Sequence, residues 1–222
     1  MNIHHDLSLP ATVDAAALDW VPSPTPGVER LMIERQGIEV ARATSLVRYA
    51  PNSSFPPHTH GGGEEFFVLS GVFSDESGDY PAGSYVRNGV GSHHSPRTAP
   101  GCVILVKLWW MHPDETQNVR VMTDTPSAWS PTASGQRCIL HHGVHDQTEL
   151  VRVAAGEHTA VEFTNGLEMF VVSGDITFED TAAAQWTWLR RPGSGALSVH
   201  APSEATLFIK RGHLQHPPPL PH

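Results

Sequence analysis

The sequence predicts an all-β protein in which short antiparallel strands form a sandwich or barrel. Three observations carry that expectation. Glycine and proline are both abundant, at 19 each in 222 residues, and they punctuate the chain with turns. Apolar stretches are short and bounded by these turn residues, as strands are, and few segments show helical periodicity. Many short strands at close spacing favour antiparallel pairing over a parallel α/β sheet, which would need a helix between successive strands.

The elements follow in chain order. Residues 1–30 are polar and rich in proline (Trp20-Val21-Pro22-Ser23-Pro24-Thr25-Pro26) and read as an arm that packs on something else. Two strands are expected over residues 31–35 and 39–49. Phe66-Phe67-Val68-Leu69 forms another strand, closed by Ser70-Gly71. Val72-Phe73-Ser74, a turn at Glu76-Ser77-Gly78-Asp79 and Gly83-Ser84-Tyr85-Val86-Arg87 continue the pattern. Residues 102–110 make a long apolar strand, in which Trp109 and Trp110 are expected to fill core or a subunit contact. A polar connection then leads to a second strand-rich half. The expected organisation is an arm (1–30), a barrel (31–115), a linker (116–136) and a second barrel (137–215).

Chemistry concentrates in His58-Thr59-His60-Gly61-Gly62-Gly63-Glu64-Glu65 and in Ser92-His93-His94. Two histidines separated by one residue point the same way on a strand, because side chains alternate with period two. Three imidazoles and one carboxylate are a donor set for a divalent first-row transition metal, with coordination positions left open. His93 faces away from His94 on an extended strand. Glu64 and Glu65 point to opposite faces, so only one of them can join the set. The three glycines allow the backbone to turn sharply between ligands. If Glu64 points inward, Phe66 and Val68 share its face and should narrow the cavity. Arg87 and Lys107 are candidates to bind an anionic substrate there.

Composition narrows the function classes. The formal charge is −9 with 14 basic residues and no Lys/Arg stripe, which argues against nucleic-acid binding through a basic face. No apolar stretch approaches the ~20 residues of a membrane span, and no signal-peptide pattern opens the chain. A cytoplasmic protein is expected. The two cysteines, Cys102 and Cys138, form neither a CxxC pair nor a zinc-finger spacing and read as buried small residues. His4, His5, His216 and His222 lie near the termini and carry no expectation.

The first half resembles the cupin superfamily. The first cupin motif runs HxH, three or four residues, glutamate, six residues, glycine; here it reads His58-Thr59-His60, three glycines, Glu64, six residues and Gly71. This spacing favours Glu64 over Glu65. The second motif is matched by Gly83, five residues, Gly89-Val90-Gly91, two residues and His94, with glycine in place of the usual proline and Thr98 in place of asparagine. Residues 28–112 are more narrowly similar to the cupin part of ChrR-type anti-sigma factors, in Gly62-Gly63-Glu64-Glu65, Phe73-Ser74-Asp75-Glu76, Tyr80-Pro81-Ala82-Gly83 and Tyr85-Val86-Arg87-Asn88. Residues 1–30 carry no cysteine and no helical pattern, so the anti-sigma domain has no counterpart and a sigma-factor partner is not expected.

The second half repeats the first. Glu168-Met169-Phe170-Val171-Val172-Ser173-Gly174 aligns with Glu65-Phe66-Phe67-Val68-Leu69-Ser70-Gly71. In this register His58, His60, Glu64 and His94 become Val161, Phe163, Leu167 and Leu197. The expectation is a bicupin of two double-stranded β-helix (jelly-roll) barrels with one live site. The resemblance further implies one zinc, iron, manganese or nickel ion per chain, held by His58, His60, Glu64 and His94. A small-molecule substrate, dioxygenase-type or related metal chemistry and a homodimer follow as expectations. The alternative is a regulatory or sensor module without turnover.

Overall fold

The computed structural model describes residues 1–38 and 40–220. Glu39, expected at the head of the second strand, and His222 lie outside the described residues. The protein is all-β: its only helical segments among those residues are two 3-10 turns, Ala15–Ala17 and Pro126–Ala128. No helix among the described residues is long and apolar enough to cross a membrane.

The chain divides into two compact units. The first comprises Met1–His5, Asp19–Asp124 and the C-terminal residues from Pro218. Its main sheet sets Val28–Gly37 beside Ala41–Tyr49, then Cys102–Leu108, Glu64–Asp75, Ser84–Asn88 and Val119–Met122, all antiparallel. A small sheet pairs His58–Thr59 with His93–His94. Alternation along these strands sorts the side chains. Tyr49, Phe66, Val68, Phe73, Ile104 and Val106 turn to one side and form the apolar core with Val28, Val47 and Val86. The Phe66 and Phe73 rings meet at 4.6 Å between centroids, and Tyr49 meets Phe73 edge-on at 5.8 Å.

The second unit comprises Asp6–Leu18 and Thr125–Pro217. Its larger sheet places Gln147–Val153, Ala205–Arg211, Leu167–Ser173 and Thr187–Arg191 side by side. Its smaller sheet is built on His158–Phe163 paired with Gly195–His200. The two sheets enclose a purely apolar core that includes Val161, Leu167, Met169, Val171, Leu189, Leu197, Leu207 and Ile209.

Residues 1–30 are strand-forming in part. Asn2–Ile3 and Val21–Pro22 pair with Val28–Gly37 in the first unit, and Ala11–Asp14 extends the larger sheet of the second through Thr187–Arg191. Backbone ladders of two to four residues leave no periodicity for sequence to reveal, and for that reason the segment read as an irregular arm. The same holds for Val119–Met122, which lies inside the expected linker and completes the first unit's sheet.

Candidate metal centre

The small sheet puts two histidines in register: His94 is the direct cross-strand partner of His58. His60 follows His58 by two residues, so its ring emerges on the same side. The chain then reverses through His60-Gly61-Gly62-Gly63, closed by a hydrogen bond from the Gly63 amide to the His60 carbonyl at 3.3 Å. Gly63 sits at φ 73°, and a Cβ there would stand 2.3 Å from the Met111 sulfur. Glycine is required on both counts. The turn delivers Glu64, the first residue of its strand, back toward the imidazoles.

The donor atoms of His58, His60, Glu64 and His94 all lie within 4.8 Å of one another. Glu64 Oε2 is 3.4 Å from Nε2 of His60 and 3.4 Å from Nε2 of His94. Ring centroids are 4.8 Å apart for His58 and His60, 5.0 Å for His58 and His94, and 4.7 Å for His60 and His94. The Nε2 atoms of His60 and His94 are buried and have no hydrogen-bond partner. Stranding two buried lone pairs costs about 1–3 kcal/mol each unless something else uses them. A divalent cation would use both, and the donor set is the one such an ion takes. The residues present therefore fit a metal.

Neighbouring groups fix the tautomers. The Pro56 carbonyl can only accept, so His58 donates through Nδ1 at 2.9 Å and keeps its Nε2 lone pair for the centre. His94 donates through Nδ1 to Asp75 Oδ2 at 3.2 Å, a carboxylate–histidine pair of the kind that orients metal ligands. Asn88, opposite Glu64 on the adjacent strand, donates to Glu64 Oε2 at 2.9 Å and accepts from Arg120 Nη2 at 2.6 Å. Asn88 thus fixes the Glu64 carboxylate.

Burial lowers the His60 pKa; the charge of Glu64 opposes this, and His94 and His58 add to the lowering. For His94 burial also acts downward, but the hydrogen bond with Asp75 and the charge of Glu64 outweigh it and raise the pKa. Burial alone would raise Asp75. Its hydrogen bonds with His94 and the Ser77 amide, the charge of His94 and the Tyr80 hydroxyl hold the carboxyl below its ordinary value.

A cavity of about 410 Å³ opens on this cluster, within the ~300–1,000 Å³ range of small-molecule sites. His58, His60 and Glu64 form one part of its wall. Most of the rest is apolar, from Val28, Val47, Phe55, Ile104, Val106 and Leu108. Trp109 also lines it, in the left-handed region at φ 61°, with its ring lying over Gly61 and Gly62. Trp110 is buried instead, between Lys107 Nζ at 4.3 Å and the Arg42 guanidinium at 5.1 Å from its ring centroid.

The four residues expected to line the pocket lie elsewhere. Phe66 and Val68 do share the Glu64 face, but they sit in the core, outside the cavity wall. Arg87 and Lys107 are directed to the opposite face with Glu65. There Glu65 accepts from the Tyr85 hydroxyl at 2.7 Å and stands 3.6 Å from Arg87 Nη1, and Arg87 also pairs with Glu115. Lys107, the cross-strand neighbour of Glu65, donates to Thr44 Oγ1 at 2.8 Å. Lys107 lies next to the cavity-lining Val106 and Leu108, and Arg87 next to the core residue Val86, so alternation carries both cations to the other face. His93 is exposed. Sequence reasoning missed Asp75, Asn88, Arg30 and Tyr49. Asp75 and Asn88 stand within the stretches similar to the ChrR-type cupin, whereas Arg30 and Tyr49 carried no such signal.

The buried network behind the centre has a counterpart in the second unit. There Glu168 faces Arg190 and Lys210 across adjacent strands, as Glu65 faces Arg87 and Lys107. Glu168 accepts from Trp188 Nε1 at 3.1 Å, and Lys210 reaches Thr148 Oγ1 at 3.4 Å. The pair His58 and His94 corresponds to Val161 and Leu197, which are also cross-strand partners. Val161, Leu167 and Leu197 are buried in the apolar core and Phe163 packs against it. The charged network is kept and the ligand positions are filled with hydrocarbon.

Comparison with known proteins bears on the family of the first half and on the fold of nearly the whole chain. Residues 9–112 match the family described as the ChrR Cupin-like domain. No curated protein matches the sequence. Among solved structures, a Nostoc punctiforme protein described as a candidate dioxygenase superposes with a TM-score of 0.72 at 12% identity, covering 94% of this chain and 84% of its own. The bacterial pirin YhhW from Escherichia coli in complex with nickel(II) gives 0.68 at 16% identity, covering 95% of this chain and 100% of its own. Salicylate 1,2-dioxygenase from Pseudoaminobacter salicylatoxidans, in adducts with gentisate, gives 0.64 at 12% identity, covering 94% and 82%. At these identities the likeness is one of fold. Residues 9–112 thus belong to the ChrR cupin-like family, and the chain has the cupin fold.

Proposed function

We propose that the chain is a bicupin metalloenzyme with one live centre, acting on a small organic molecule as a dioxygenase or a related metal-dependent enzyme. The observation that carries this reading is the pair of buried, unpartnered Nε2 atoms of His60 and His94 converging with Glu64 on an apolar cavity. A structural ion would not need that cavity. A metal bound there would supply Lewis-acid polarisation and, if iron, manganese or nickel, activation of dioxygen. The chain's own residues orient the donors through Pro56, Asp75 and Asn88, and the hydrocarbon wall excludes bulk water from the reacting atoms. The nickel-bound pirin and the salicylate dioxygenase support the reading, as cupin-fold proteins that hold a metal or act on a small aromatic molecule.

The reading divides the chain as expected from sequence, with the metal in the barrel of residues 31–115 and a second barrel over 137–215 that holds none. It takes the protein as a cytoplasmic homodimer with no nucleic-acid, membrane or sigma-factor partner, in keeping with its acidic balance and its two free buried thiols. One observation favours a second reading, a ChrR-type regulatory module without turnover: the matched family carries that description.

Elemental analysis of tag-free protein beside the His58→Ala/His94→Ala double variant tests both. Iron, manganese or nickel near one per chain, lost in the variant, with oxygen uptake on a diketone and enol panel, supports the enzyme. A bound ion with no turnover on that panel under any redox metal supports the regulator. No metal in either protein refutes both.

A further inference from the structure

Arg30 is the one Lys or Arg residue among those that line the cavity. It is half-buried, and its guanidinium makes no hydrogen bond or ion pair with any described residue. The arginines around it do not share this condition. Arg48 binds Glu29 with Nε at 2.9 Å, Arg42 donates to Gln36 at 2.7 Å, and Arg35 donates to the Ile38 carbonyl. Each of those turns away from the cavity to a partner. Arg30 lines the cavity, and its five donors meet no partner among the described residues.

Tyr49 stands beside it. Val28 pairs with Tyr49 and Arg30 with Val47, so Arg30 and Tyr49 are diagonal neighbours on one face of the sheet, about 7–8 Å apart in backbone terms. All four residues line the cavity. The Tyr49 hydroxyl, too, donates to no described residue, although the side chain is buried. Burial, then the charge of Glu64, raises its pKa well above the ordinary phenol value, while Arg30 pulls the other way. A phenol hydroxyl is protonated at neutral pH in any case and can donate, and it lies within electrostatic reach of Arg30 and Glu64.

We propose that the cavity takes a small organic monocarboxylate, its carboxylate held by Arg30 and Tyr49 and its apolar body lying toward His58, His60 and Glu64. The inference deepens the metalloenzyme reading of this cavity and rests on it. Electrostatics points the same way. A divalent ion on three neutral imidazoles and one carboxylate carries one net positive charge, and Arg30 adds a second, in a wall that is otherwise hydrocarbon. A planar guanidinium matches a carboxylate with two parallel hydrogen bonds, and in so apolar a setting such a contact is strong. A neutral substrate would leave the cation half-desolvated and unpaired.

The test is calorimetric titration of the zinc-loaded full chain with benzoate and with its neutral isostere benzamide, reading metal content on the same samples. Benzoate should bind at least tenfold more tightly than benzamide. Arg30→Gln should weaken benzoate about 10- to 100-fold and leave benzamide unchanged, Arg30→Lys should restore part of the loss, and Tyr49→Phe should cost roughly 2- to 10-fold. Arg30→Lys keeps the question open to decision should the glutamine variant fold poorly. Benzoate affinity indifferent to Arg30, equal binding of benzamide, or no benzoate binding at millimolar concentration would each overturn the proposal. Stoichiometric metal with Arg30-independent binding sinks the anion subsite alone. Arg30-dependent binding in a chain that holds no metal sinks the metal reading and leaves the subsite standing.

Discussion

Replacing Gly62 with alanine tests how the centre is packed. A Cβ at Gly62 would stand 2.4, 2.5 and 2.7 Å from Cδ2, Cε3 and Cγ of Trp109. Carbon atoms pack at about 3.5–4.0 Å, so the ring or the turn must move by roughly an ångström. The indole is stiff. Its backbone is in the left-handed region, and the segment is tied down by hydrogen bonds from the Trp109 amide to the Gly63 carbonyl at 3.3 Å and from the Met111 amide to the Gly62 carbonyl at 3.2 Å. Overpacking of this kind costs about 1–3 kcal/mol. For a chain of this size that is a fall in Tm of about 2–12 °C. Gly61 is the internal control: a Cβ there would lie 3.1 Å from the outer edge of the same ring, close enough for a small adjustment to absorb. Gly61→Ala should therefore cost well under 1 kcal/mol. Scanning calorimetry of Gly62→Ala, Trp109→Ala and the double variant closes the cycle. Removing the ring should relieve most of the Gly62→Ala penalty. A Gly62→Ala protein as stable as the wild type, or a penalty unchanged without Trp109, would falsify it.

Three further outcomes are expected. Asp75→Asn removes the carboxylate that orients His94, and chelator competition should show metal affinity reduced about 10- to 100-fold while the fold persists. Burial pushes the Cys102 thiol up to about 11, so iodoacetamide labelling of the native protein should stay slow through pH 9 and accelerate only near pH 11. Because this pKa is raised above its unfolded value of 9.0, the associated stability is complete below pH 9 and lost as pH climbs through 11; chemical denaturation of wild type and Cys102→Ala across that window should diverge in that direction and no other. Glu168→Ala strips the acceptor from the buried Trp188 and His213, while Lys210 keeps Asp146 and Arg190 keeps the carbonyls of Asp6 and Leu9, so the chain should lose about 1–3 kcal/mol in urea unfolding, and Glu65→Ala, which strips the acceptor from Tyr85 and leaves Arg87 with Glu115, should do likewise in the first unit. If Glu168→Ala were neutral while Glu65→Ala was severe, the second network would be ornamental and the correspondence between the units superficial.

The sequence by itself determined whatever depends on local alternation. Strand class, the shared direction of His58 and His60, the opposed directions of Glu64 and Glu65, and the exposure of His93 beside a buried His94 all follow from a period of two along one stretch of chain. The repeat was legible for the same reason, since aligning Glu168 with Glu65 carried Val161 and Leu197 onto His58 and His94, and those residues prove to be cross-strand partners as well. Tertiary structure decided what lies opposite. Phe66 and Val68 point to the Glu64 side as alternation requires, yet where the core ends and the cavity begins depends on how the sheet curls, which no single strand encodes. Arg87 and Lys107 look like free cations in sequence; paired with Glu65 across two neighbouring strands, they belong to the buried scaffold. Asp75 reaches His94 across nineteen residues. Arg30 was taken for the end of an arm and is instead in a ten-residue strand facing the cavity. No described residue pairs with its guanidinium, and that depends on the placement of neighbours far away in sequence.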